Sequence, residues 1–176
     1  MRTLVRWASC VCGVALACCG GQSYEEEYRP AEVARDVQRT IVEFVKRDPG
    51  LHVLFAEADG FVVIPMGDGS GTAIGELYEN SPRPGLLAGY CRVERPTSDR
   101  SAYSEVVFLK ASALRRLKRE GLSVDEGLVA LEAGPGSSVR AEWNRDALLF
   151  VSTSGAATRG QRLRFVSVGR TPESDR

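Results

Sequence analysis

Strand-length apolar runs, each closed by glycine, proline or a polar turn, succeed one another through most of this 176-residue chain. That spacing limits the fold more than any other feature. Asp59-Gly60 turns into Phe61-Val62-Val63-Ile64, which Pro65 stops. Gly67 to Gly71 is a loop and Thr72 to Glu79 the next strand. Ser81-Pro82-Arg83-Pro84-Gly85 turns the chain and Leu86 to Glu94 runs back. Pro96 to Arg100 connects to a strand over Ala102 to Lys110. Asn144-Arg145-Asp146 precedes another over Ala147 to Thr153, and Ser154 to Gly160 leads to a last one over Gln161 to Val168. These runs are rich in β-branched and aromatic residues. Strand follows strand without regular helical crossovers, which predicts a mainly antiparallel sheet or barrel.

Two segments carry the helical period instead. Pro30 suits a first helical position, and Val33, Val37, Ile41, Phe44 and Val45 then define one apolar face. Arg35, Arg39 and Lys46 lie nearly opposite it, beside Glu32, Asp36 and Glu43, and Asp48-Pro49-Gly50 ends the helix. Ser112 to Glu120 forms a second, shorter helix stopped by Gly121. Leu51 to Ala58 fits a short helix or an extended segment, and Ala133 to Ser138 is a glycine-proline loop. The expected class is α+β: one N-terminal amphipathic helix and a short second helix packed on a mainly antiparallel sheet or barrel.

The N-terminus has a different character. Arg2 and Arg6 precede the apolar stretch Trp7 to Ala17, which has signal-peptide length and is too short to span a bilayer. Ala15-Leu16-Ala17-Cys18 resembles the bacterial lipobox, with a small residue before the cut and a thiol to receive the lipid. A secretory signal cut nearby is the alternative. The expected layout is a signal peptide over 1–17, a lipid-anchored linker over 18–29, one domain over 30–168 and a tail over 169–176. This places the protein in the bacterial cell envelope, on the periplasmic face of the outer membrane in a Gram-negative cell.

Cleavage before Cys18 leaves 159 residues, enough for one domain with a real core. It also leaves 21 basic against 23 acidic side chains, about −2, which argues against a nucleic-acid partner. Only Lys46, Lys110 and Lys118 are lysine. Arginine bias suits phosphate recognition and suits a GC-rich genome equally. Cys19 and Cys91 alone remain in the mature domain, too few for a disulfide scaffold or a cysteine zinc site. A Cys19–Cys91 bridge would pin the linker to the core, so Cys91 is read as a small buried apolar residue.

Catalytic equipment is sparse. His52 is the only histidine, no G-x-S-x-G elbow occurs, and His52 is read as structural or surface. Asp125-Glu126 and Glu25-Glu26-Glu27 lie in polar, solvated segments. Gly67-Asp68-Gly69-Ser70-Gly71 lacks the G-K-[ST] ending of a phosphate loop and leads into a strand, so it is read as a tight β-connection. No cofactor or metal is expected.

From about Val37 to Val168 the order of features resembles the SYLF (BPS) domain family. The matching residues are Asp48-Pro49, Ala58-Asp59-Gly60-Phe61-Val62-Val63-Ile64-Pro65, Gly75-Glu76-Leu77-Tyr78-Glu79-Asn80, Gly89-Tyr90 and Phe150-Val151-Ser152-Thr153-Ser154-Gly155. The run Gly67 to Gly75 is shorter and poorer in glycine than the usual family version, as in a divergent member. The resemblance implies a lipid-binding module. Eukaryotic relatives bind phosphoinositides, some bind actin, and bacterial relatives are often exported or lipoproteins. Actin is set aside for an envelope protein.

The chemistry for lipid contact is cationic. Arg115, Arg116, Lys118 and Arg119 crowd the second helix, with Ala113, Leu114 and Leu117 on its other side. Such charges gain about 1 kcal/mol each near an anionic surface. Two leucines are too small an anchor for the helix to insert alone. Arg35, Arg39 and Lys46 are the second candidate set for headgroup contact. The bland alternative for both is a solvated helix face. With the resemblance, the expected function is a non-catalytic, lipid-anchored envelope protein whose SYLF-like domain binds lipid or a partner, anionic phospholipid being the candidate lipid. Alternatives are an envelope interaction protein with a protein partner, and an unrecognised hydrolase.

Overall fold

Helix α1 (Pro30–Arg47) buries Val37 and Phe44 completely, and Val33 and Ile41 pack beside them. A computed structural model describes residues 30–67, 72–95, 103–124, 128, 130–141, 146–153 and 160–167. The expected signal peptide, Cys18, the linker, Asp68 to Gly71, Pro96 to Arg100, Asp125-Glu126 and the tail lie outside the described residues.

Helix α2 (Leu51–Glu57) follows α1 directly. Leu51 and Leu54, one turn apart, are both buried. An extended chain would send residues at that spacing to opposite faces, so burial selects the helix. Strands β1 (Gly60–Ile64), β2 (Thr72–Glu79), β3 (Leu86–Glu94) and β4 (Glu105–Leu109) come next. Helix α3 (Ala111–Glu120), β5 (Leu122–Ser123), β6 (Ala130–Glu132), α4 (Ser137–Arg140), β7 (Ala147–Val151) and β8 (Arg162–Ser167) complete the described chain.

The strands form one curled, half-barrel sheet in the order β5-β8-β3-β2-β1-β4-β7-β6, and the class is α+β. Every pairing is antiparallel except β6 with β7. Strand β1 explains why its sequence is continuously apolar. Val62 and Ile64 enter one core with Leu77, Cys91, Val107, Leu149 and Leu163, closed by Ala113 and Leu117 of α3. Phe61 and Val63 enter a second core with Val106, Phe108 and Phe150, closed by α1 and α2. A strand covered on both faces has no polar side to alternate. Phe55 binds this second core together, its ring edge-on to Phe61 at 4.9 Å and to Phe108 at 4.8 Å.

The structure departs from the sequence expectation at several places, among them the late strand, which ends at Val151 rather than Thr153. The expected loop Ala133 to Ser138 ends inside α4, whose first residues Ser137 and Ser138 bind the buried Asp48 carboxylate. Strand β4 starts at Glu105 rather than Ala102. Strands β5 and β6 were not expected, since two and three residues leave no period to read.

Gly75 marks the tightest approach within the central strands. A Cβ there would lie 2.3 Å from the Val63 carbonyl oxygen and 2.9 Å from Ile64 Cγ1. The backbone of β1 would have to move. Gly75→Ala should therefore lower stability by about 1–3 kcal/mol, measured as a urea midpoint shift at unchanged m-value.

Candidate functional site

The seven candidate cations divide into two groups. Helix α1 packs on the face that carries Phe61 and Val63, whereas α3 packs on the face of Val62 and Ile64. Arg35, Arg39 and Lys46 therefore share no surface with Arg115, Arg116, Lys118 and Arg119, and the sheet lies between them. Arg39 pairs with Asp36 at 3.1 Å, both side chains being largely exposed. Such an exposed pair is weak.

Helix α3 is fixed at both ends. Asp59 Oδ2 accepts the Ala111 N–H at 2.8 Å, putting a carboxylate at the helix N-terminus, where the helix dipole favours it. At the other end Gly121, with φ 86°, donates its N–H to the Leu117 carbonyl, and the Arg162 guanidinium donates to the Glu120 carbonyl at 3.3 Å. Ala113 and Leu117 are buried, so the opposite side must face out. Arg115, Lys118 and Arg119 are exposed there, and Arg116 is half-buried. Lys118 forms an ion pair with Glu79 of β2, and its amine stands 5.9 Å from the Phe165 ring. Among the described residues Arg115 and Arg119 have no ion pair.

Asn80 ties this end of the sheet together. Its amide donates to the carbonyls of Phe55 and Ala58 at 2.8 Å each, and its Oδ1 accepts the Gly85 N–H at 2.9 Å. One side chain thus joins the end of α2 to the β2–β3 hairpin. Beyond it Ser81 to Gly85 are exposed, and so are Leu86 and Leu87 at the start of β3.

A buried charged network lies at the other end of the strands. Arg95 Nη2 donates to Glu105 Oε1 at 2.9 Å and to the Tyr103 carbonyl at 3.2 Å. Gln161 Nε2 donates to Glu105 Oε2 at 2.5 Å, and the Arg95 guanidinium stacks 4.2 Å from the Tyr103 ring centre. Sequence reasoning missed all four residues. Its one available signal was Glu105, an acid opening the apolar run Glu105-Val106-Val107-Phe108-Leu109.

The sequence candidates for chemistry lie apart. His52 is exposed on α2, its Nδ1 2.5 Å from the Pro49 carbonyl oxygen. Cys91 is a fully buried free thiol whose pKa burial pushes up to about 12, which removes its nucleophilic form at neutral pH. Among the described residues no cluster of three or more His, Cys, Asp or Glu could hold a metal ion, and no helix is long and apolar enough to cross a membrane.

No protein-family model and no curated protein matches this chain.

Proposed function

We propose that the protein is a non-catalytic, lipid-anchored component of the bacterial envelope, tethered through Cys18, whose divergent SYLF-like domain binds anionic phospholipid through α3. The observation that carries this reading is the exposure of Arg115 and Arg119, without ion pairs among the described residues, on a helix locked at both ends. The apolar side of α3 is committed to the core, so the helix has nothing of its own to insert. Its contact with a bilayer is electrostatic, and salt weakens such contacts over a Debye length of about 8–10 Å. Arg35, Arg39 and Lys46 are secondary contacts at most, because they face away from α3.

The test is flotation of residues 22–176 with phosphatidylcholine vesicles, with and without phosphatidylglycerol. Binding should require the anionic lipid and fall as salt rises. Arg115→Glu combined with Arg119→Glu should weaken it at least about tenfold, since reversing two charges changes the net charge by four units at about 1 kcal/mol each. Flotation that ignores lipid charge, or a double variant that binds like the parent, removes the lipid reading.

A further inference from the structure

Resting on that lipid reading, we propose that the rim formed by Leu86 and Leu87 at the base of the β2–β3 hairpin is the apolar part of the docking surface, entering an anionic bilayer end-on beside the cations of α3. Leu86 is 49% and Leu87 38% exposed, although the rest of β3 is largely covered. They are adjacent in a strand, so their side chains leave opposite faces of the sheet. Leu86 pairs across the ladder with Glu79, and Leu87 with Tyr78. The apolar surface therefore straddles the end of the sheet and belongs to neither face.

Charge selects what this rim meets. Glu79, the partner of Leu86, is the residue that holds Lys118, which brings one α3 cation to the residue next to this leucine. Arg83 is exposed in the hairpin turn that leads into both. Leucine near Lys118 and Arg83 matches the boundary between anionic headgroups and acyl chains. A stable protein interface needs about 1,200 Å² of total buried area, well beyond what two half-exposed leucines offer. The rim is also held firmly, because Asn80 pins the hairpin to the carbonyls of α2 and to the Gly85 N–H. A rigid apolar edge enters a bilayer without first being ordered.

The experiment uses the full-length protein purified from the envelope and reconstituted into phosphatidylcholine vesicles with or without phosphatidylglycerol. The anchor holds it in both, so association is not the readout. Leu86→Cys in a Cys19→Ser background offers a thiol to a membrane-impermeant maleimide, whereas Cys91, fully buried, stays unreactive. Met66→Cys is the control, 62% exposed just beyond the opposite end of β1. Phosphatidylglycerol should slow labelling at position 86 about tenfold and leave position 66 unchanged. Equal labelling at 86 in both vesicles overturns the rim; if residues 22–176 still float on anionic vesicles, the lipid reading survives without it. Failure of both measurements removes both. Protection at 86 and 66 together contradicts end-on docking. Protection in pure phosphatidylcholine that grows with protein density identifies a second copy of the chain as the occupant.

Discussion

Glu105→Ala should cost the fold about 3–5 kcal/mol, the largest effect expected of any single substitution here. The Glu105 side chain is fully buried and Arg95 is only 2% exposed. Removing the carboxylate strands a guanidinium in the interior and takes the partner from the Gln161 amide. Total stabilities of domains this size are about 5–15 kcal/mol, so the variant should be only marginally folded at ambient temperature. The pair itself is a different matter. Arg95→Met together with Glu105→Leu removes both charges and keeps apolar volume, and should fall within about 1 kcal/mol of the parent or above it. Urea unfolding of the parent, both single variants and the double variant measures the coupling. A Glu105→Ala loss below about 1 kcal/mol would mean that water reaches the network and already screens the charge.

Asp48→Ala should be the second most damaging change, at about 3 kcal/mol for three donors left unpaired. The Asp48 carboxylate, 3% exposed, accepts the Gly50 N–H at 3.0 Å, the Ser137 hydroxyl at 2.8 Å and the Ser138 N–H at 2.6 Å. It thereby joins the end of α1 to the start of α4 across 90 residues of sequence. Burial alone would raise its pKa, but the hydrogen bonds from Ser138, Ser137 and Gly50 outweigh burial and hold it below the ordinary carboxylate value. The sign of the pH effect follows. A depressed folded-state pKa stabilises the protein above the unfolded value of about 4 and gives that stability up as pH falls through the lowered one. The thermal stability of the parent should therefore fall on acidification below about pH 4, and Asp48→Asn, already destabilised, should have a shallower acid limb. An identical acid limb in the two proteins would locate the titrating carboxylate elsewhere.

Periodicity made much of this fold legible. Thr72 to Glu79 and Leu86 to Glu94 occupy β2 and β3 with the expected bounds, because long runs with clear turns leave little choice. Helix α3 begins one residue earlier than expected, where the Ala111 N–H reaches Asp59. What periodicity cannot carry is the relation between elements. It assigned Arg35, Arg39 and Lys46 to one side of α1, and the α3 cations to one side of α3. It could not say that the sheet runs between the two helices. The Arg95–Glu105–Gln161 network spans sequence separations of 10 and 56 residues, with no local pattern linking its members. Asp59 read as an ordinary turn residue and Asn80 only as the last residue of a family motif, because their roles depend on carbonyls and amides supplied by other elements.

The two outermost strands have a consequence for any setting in which many copies crowd together. The sheet ends in β5 at two residues and β6 at three. A lengthy bare border offers its unpaired amides and carbonyls to the next molecule and seeds polymerisation. Borders this brief offer almost no template. Among the described residues, these two borders therefore give a neighbouring copy little backbone on which to extend the sheet.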